Sequence, residues 1–185
     1  MQYEVENKFA AVQLARVVEQ LEDLGAEFRD VIEQVDLYFA HPVRNFAETD
    51  EALRIRRIGE TNLVTYKGPK IDKATKTRRE IELPLAPGAE RVESYGELLV
   101  ALGFRQVAEV SKRRRGGRVQ WKQWPVELAL DAVAELGQYV ELEIVVEEDQ
   151  LPAAQSALLE LAAHLSLPQP ERRSYLEMVL AARSQ

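Results

Sequence analysis

Near the start of the chain stands Glu4-Val5-Glu6-Asn7-Lys8. On a β-strand alternate side chains share a face, so Glu4, Glu6 and Lys8 line up together. Two carboxylates one pleat apart repel each other, and packing alone has no use for them. They suit a divalent cation, which takes oxygen ligands, with an ammonium beside it for an anion such as phosphate. The plain alternative is a solvated edge strand, so the weight of the motif depends on whether its parity recurs. It does. Arg54 and Arg56 share one face while Leu53 and Ile55 share the other; Arg78, Glu80 and Glu82 oppose Ile81 and Leu83; Lys112 pairs with Arg114; and Glu141 with Glu143 opposes Val140, Leu142 and Ile144.

These side chains need strands to hold them, and the chain supplies strands in order. The first is expected over about residues 2–9. A helical pattern follows, with Val12, Ala15, Val18, Leu21 and Leu24 at helical spacing and Gly25 as a natural C-cap. Residues 31–39 read as a second strand, on which Asp36 and Tyr38 share a face, and 41–50 as a loop. Residues 52–58 and 63–67 form a hairpin across Gly59-Glu60-Thr61-Asn62. A lysine-rich loop leads to a strand over 77–83, stopped by Pro84 and Pro87-Gly88, and then to an amphipathic helix over 91–102. A long strand begins at Phe104. Gly116-Gly117 could turn it, but a bulge there, with the turn at Gln123-Trp124-Pro125, is the preferred reading. Strands over 126–131 and 139–146 and helices over 152–165 and 171–182 complete the chain.

Composition bounds the function. At 185 residues, with 46% hydrophobic and 30% charged residues, the chain reads as one globular domain, 1–185, with a real core. It has no cysteine, which excludes disulfides and thiolate metal sites, and its two histidines, His41 and His164, are too far apart in sequence to suggest a zinc cluster. No apolar run is long enough to cross a bilayer, and charged residues interrupt any signal-peptide pattern at the start, so a cytoplasmic setting without a membrane is expected. The net charge of −7 argues against a nucleic-acid binder. Cations nonetheless crowd the middle, from Arg54 to Arg79 and again from Lys112 to Arg118. A cationic interior within an acidic protein suits a small polyanion better than a duplex.

About eight strands, each with an apolar and a charged face, could close into an antiparallel β-barrel with helices packed outside, an α+β fold with its charges in the lumen. A polyphosphate with a bound divalent metal gives such a lumen its purpose: cations meet phosphate oxygens and carboxylates hold the metal. At this point the residues resemble a known family, the CYTH superfamily or triphosphate tunnel metalloenzymes, which contains class IV adenylate cyclases, thiamine triphosphatases and inorganic tripolyphosphatases. The resemblance spans Glu4-x-Glu6-x-Lys8, Leu53-Arg54-Ile55-Arg56, Thr65-Tyr66-Lys67-Gly68-Pro69 and Arg78-x-Glu80-x-Glu82. It continues through Lys112-x-Arg114, Asp131 followed by Leu136-Gly137, Glu141-x-Glu143 and Arg173-Ser174-Tyr175. The Arg115-Gly116-Gly117-Arg118 segment departs from the pattern, without removing a charged position.

The resemblance implies a tunnel that binds a triphosphate, with Mg2+ or Mn2+ as cofactor. Glu4, Glu6, Glu141 and Glu143 look like metal ligands, with Asp131 a further one. Lys8, Arg54, Arg56, Lys67, Arg78, Lys112 and Arg114 look like the phosphate-binding set. Glu4, Glu6 and Lys8 form the catalytic core, and Lys8 is a candidate general base. Glu80 and Glu82 would orient arginines or touch a second metal. The implied substrate is a nucleoside triphosphate or tripolyphosphate and the implied assembly a monomer or homodimer. Cyclisation of ATP to cyclic AMP and pyrophosphate leads, hydrolysis of a terminal phosphate is the rival, and a non-catalytic nucleotide or polyphosphate binder is the third reading. The acidic pairs count against that third one.

Overall fold

The computed structural model describes residues 2–70 and 78–183. Its elements are β1 (Gln2–Ala10), α1 (Leu14–Asp23), β2 (Glu27–Ala40), α2 (Phe46–Thr49), β3 (Ala52–Ile58), β4 (Thr61–Lys70), β5 (Arg78–Leu85) and α3 (Ala89–Ala101). Then come β6 (Arg105–Trp121), β7 (Trp124–Val133), β8 (Gly137–Glu147), a 3-10 turn (Glu148–Gln150), α4 (Leu151–His164) and α5 (Tyr175–Arg183). The eight strands pair in the order β1-β8-β7-β6-β2-β3-β4-β5. The fold is α+β, as expected, with antiparallel strands and helices against their apolar faces. Among the described residues no helix is long and apolar enough to cross a membrane.

The chain forms two compact units. The first comprises the described residues of Met1–Val31 and Arg113–Arg173; the second those of Ile32–Lys112 and Ser174–Gln185. In the first, alternation decides which face is dry. Val5 and Phe9 of β1, Val126, Leu128 and Leu130 of β7, and Val140, Leu142, Ile144 and Val146 of β8 all point into one core. Helix α4 adds Ala154, Ala157, Leu158, Leu161 and Ala162, and α1 adds Val17 and Leu21. Leu142, Leu158 and Leu161 are wholly buried, so truncating any one to alanine should cost about 2–5 kcal/mol. Because that face is committed to the core, the residues between these positions must project from the other.

The long β6 runs straight through Gly116-Gly117, and the turn falls at Lys122-Gln123, beyond the glycines as the preferred reading has it. Packing explains the glycine. A Cβ on Gly117 would lie 2.6 Å from Phe28 Cδ1 and 2.9 Å from the Glu27 carbonyl oxygen, so only glycine lets β6 approach the start of β2. That contact also shows why β2 begins at Glu27, four residues before the expected start.

In the second unit Phe39, Ile55 and Val92 form a smaller core, joined by Leu37, Leu53, Leu85, Tyr95, Leu99 and Phe104. The wholly buried Asn62 donates from its amide to the carbonyls of Ala86 (2.9 Å) and Gly88 (2.8 Å), tying the start of β4 to the turn before α3. The expected loop at 41–50 contains the short α2, capped by the Asn45 side chain, which accepts from the Ala47 N–H.

Candidate active site

In the first unit, strand register turns separate sequence motifs into one acidic face. Across β1 and β8, Glu6 stands opposite Glu143 and Lys8 opposite Glu141; Glu4 faces Val145. Across β8 and β7, Glu143 stands opposite Glu127 and Glu141 opposite Ala129. Directly opposed Cβ atoms in such pairs lie roughly 4.5–5.5 Å apart. Glu6, Glu143 and Glu127 therefore form a row over adjacent strands, flanked by Glu4 and Glu141. Burial is the main cause that raises the Glu143 carboxyl to about 7, and the charges of Glu4, Glu6, Glu141 and Glu127 push it the same way.

Lys8 is buried, and its ammonium donates to the Arg173 carbonyl oxygen. The Glu171 N–H donates to the Lys8 carbonyl at 2.7 Å, so the segment before α5 is fastened to β1 at the third residue of the motif. Arg173 in turn forks onto the Glu171 carboxylate at 3.0 and 2.6 Å, which holds that acid down at about 2. Arg114 reaches Asp131 with two parallel bonds, Nε to Oδ1 at 2.7 Å and Nη2 to Oδ2 at 2.5 Å, and Nη2 also donates to Glu141. Asp131 has no solvent exposure, and this fork engages both of its oxygens.

The second unit carries the cationic face. Asp36 stands opposite Arg56 across β2 and β3, and Tyr38 opposite Arg54. Arg56 forks onto Asp36 with both bonds at 2.6 Å, and Arg54 Nη1 lies 3.7 Å from the same carboxylate. Burial alone would raise the Asp36 carboxyl; the Arg56 bonds and the charges of Arg56, Arg54 and Lys112 outweigh it and hold it low. Arg54 has a buried Nε without a hydrogen-bond partner. Lys112 is buried with its ammonium 5.0 Å from the Tyr175 ring centroid. Along β4 and β5, Thr65 donates to Glu82 at 3.0 Å and Lys67 pairs with Glu80 at 2.9 Å. The side chain of Arg78 lies outside the described residues, as do residues 71–77.

The expected residues thus fall into two groups: Glu4, Glu6, Lys8, Arg114, Asp131, Glu141 and Glu143 in the first unit, and Arg54, Arg56, Lys67 and Lys112 in the second. Among the described residues no group of three or more acidic or histidine side chains is gathered closely enough to hold a metal ion as it stands. The acidic row is an open face set by register. Its chemistry nonetheless fits a hard divalent cation, since every donor is a carboxylate oxygen and the inner one, Glu143, is burdened by its neighbours' charge. Sequence reasoning passed over Glu127, which belongs to no Glu-x-Glu pair, and assigned no role to Asp36. Two-residue parity placed Glu127 on the charged face, but only the β7–β8 register set it opposite Glu143.

An antiparallel eight-stranded α+β fold with charged residues alternating along its strands defines a class, and the chain belongs to it: the CYTH domain model matches residues 2–175. That membership implies dependence on a divalent metal. A Methanocaldococcus jannaschii protein described as a candidate adenylate cyclase is 39% identical over 179 residues, covering 95% of this chain and 97% of its own. The solved structure of a Pyrococcus horikoshii protein matches with a TM-score of 0.81 at 40% identity, over 97% of this chain and 99% of that one. An Aeromonas hydrophila protein named as an adenylate cyclase is 29% identical over 148 residues, 77% of this chain and 70% of its own.

Proposed function

We propose that this protein is a metal-dependent enzyme acting on the triphosphate of a nucleotide, converting ATP to cyclic AMP and pyrophosphate with Mg2+ or Mn2+. The observation that carries the reading is the row Glu6–Glu143–Glu127, where a carboxyl raised to about 7 is surrounded by acids. Glu4 and Glu127 are exposed, with Glu127 paired to Arg29 at 3.1 Å, so the like-charge repulsion falls on the half-buried Glu143, which a cation would relieve. Glu4, Glu6, Glu141 and Glu143 would hold the metal, which when bound neutralises phosphate oxygens and the charge that develops on the leaving group. Asp131 joins them only if it yields part of its fork with Arg114; otherwise it serves to aim that arginine.

The chain's own part is positioning and charge. Arg54, Arg56, Lys67, Arg78, Lys112 and Arg114 bind the phosphate oxygens, and Lys8, anchored by the Arg173 carbonyl, is set in the same motif as the metal ligands. In the cyclisation the ribose 3′-oxygen bonds to the α-phosphorus, the bond from that phosphorus to the α–β bridging oxygen breaks, pyrophosphate departs, and the proton of the 3′-hydroxyl passes to solvent water. Phosphoryl chemistry asks a protein for little beyond such placement. The Aeromonas relative supports the cyclase reading by its name and identity. The test is a product assay on the purified protein with ATP and tripolyphosphate side by side, each with Mg2+ and with Mn2+. Cyclic AMP and pyrophosphate from ATP are expected. Orthophosphate without cyclic AMP would establish a hydrolase instead, and binding without any product a non-catalytic binder.

A further inference from the structure

Among the expected phosphate-binding cations of the second unit, three are tied electrostatically to a single acid. Asp36 lies on β2, nearly inaccessible, with its two oxygens on the Arg56 fork at 2.6 Å each and Arg54 Nη1 at 3.7 Å. The charge of Lys112, from β6, acts on the same carboxylate. Tyr38, two residues on and on the same face, stands opposite Arg54 across β2 and β3. Arg54 and Arg56 are themselves one pleat apart on β3, so without an acid their guanidinium groups would repel and swing apart.

We infer that Asp36 is the positioning residue of the phosphate-binding set, fixing Arg56 and drawing Arg54 toward it before any anion arrives. This rests on the reading of the protein as a triphosphate enzyme. A carboxylate that only balanced charge would not need the fork geometry. The fork fixes the plane of Arg56, because two parallel bonds leave a guanidinium no rotation about either. It still leaves Arg56 donors beyond the Nε and Nη2 groups that face Asp36. Arg54, by contrast, has a buried Nε lacking a partner, so it gains most from a phosphate oxygen brought within reach. A linear chain of phosphates is discriminated by how many of its groups meet a cation at fixed spacing. Asp36 therefore sets the preference for three phosphates over two.

The experiment compares wild type, Asp36→Asn and Asp36→Glu by calorimetric titration with tripolyphosphate and with pyrophosphate, in the presence of Mg2+. Asp36→Asn removes the charge at constant size, and Asp36→Glu keeps the charge but moves the carboxylate. Both should lower the ratio of tripolyphosphate to pyrophosphate affinity by about tenfold, as expected when a binding group is displaced by an ångström or less. Unchanged selectivity in Asp36→Asn, even with a lowered thermal midpoint, would overturn the inference. Wild-type selectivity in Asp36→Glu would overturn it too, because charge alone would then suffice. If both variants fail to fold, the wild type still decides. The Arg56 Nε–H should give a sharp, exchange-protected nitrogen–proton correlation in the ligand-free protein, and a signal averaged to that of free arginine would overturn it. Wild type that binds neither anion would defeat the parent reading and this inference with it, whereas lost selectivity differences alone would defeat only the inference.

Discussion

The buried Asp36 in the second unit and the half-buried Glu143 in the first are both acids on the charged face of a strand, and their surroundings drive them in opposite directions. Asp36 meets two arginines and the charge of a lysine, and is held low against the effect of burial. Glu143 meets Glu4, Glu6, Glu141 and Glu127, and is raised to about 7 by burial and by their charge together. The first arrangement is complete as it stands. The second becomes comfortable only with a proton or with a cation from outside. The two faces differ in the same sense, one with its charges matched internally and one with an excess of a single sign.

The sharpest way to break this contrast is at the acidic face. Glu6→Gln should reduce turnover to background while far-ultraviolet circular dichroism stays that of wild type, since a neutral amide is a poor substitute for an anionic ligand. Retained metal-dependent turnover would remove Glu6 from the metal set.

At the cationic face, Arg56→Ala should weaken triphosphate binding by about 1.5–3 kcal/mol, the range for a hydrogen bond to a charged group. Because it also strands the buried Asp36, urea unfolding should show a stability loss of about 3 kcal/mol, at the low end for a broken buried pair since Arg54 remains close. Arg57→Ala makes the control. Arg57 lies opposite Val35 on one side and Asn62 on the other, with the other parity, and both measurements should stay near wild type. Equal losses in the two variants would mean that the parity assigned to β3 does not sort site from surroundings.

A smaller effect concerns metal and stability. A divalent ion bound to the folded chain alone should stabilise it by about 2.7 kcal/mol at a hundred times its dissociation constant. For a chain of this length that raises the thermal midpoint by roughly 5–11 °C. Glu141→Ala should shrink the gain. A midpoint indifferent to Mg2+ and Mn2+, with tripolyphosphate present, would reduce the acidic row to a solvated face.

The smallest effect is the slope of stability with pH in metal-free protein. An unfolded Glu143 loses its proton near 4.5, whereas the folded one keeps it to about 7. Within that window the folded chain holds more protons, so rising pH favours unfolding, and Glu143→Gln should flatten the slope. Asp36 has the opposite sign: its contribution is present above the ordinary value of 3.8 and is lost as pH falls through its lowered folded value. Chemical denaturation of Glu143→Gln and Asp36→Asn across pH 3–8 separates the two.

Much of the arrangement could be read without coordinates, because a strand's period of two is a local property. Glu4 with Glu6, Arg54 with Arg56 and Glu141 with Glu143 announce a charged face wherever they alternate with Val5, Ile55 and Leu142, and the burial of those three confirms the parity. The eight strands and the main helices followed from the same periodicities, although β5 runs on through Pro84 to Leu85 and β4 through Pro69 to Lys70, past the expected ends. The early start of β2 was not legible, since it depends on Phe28 lying against Gly117, a residue distant in sequence. The short α2 was missed for a different reason: four residues carry too little periodicity to register, and its Asn45 cap is visible only once the turn is formed.

Which side chains share a face is a local matter, because neighbours on one strand are related by covalent geometry alone. Which faces carry matching and which carry like charges across strands was decided by tertiary structure. Glu127 became the third acid of a row, and Asp36 the partner of Arg56, through hydrogen-bond register between segments far apart in the chain. A slip of one residue in either pairing would have turned the same side chains to the opposite face. Register is fixed by the burial of the apolar faces, and that energy belongs to the packed core rather than to any single stretch of sequence.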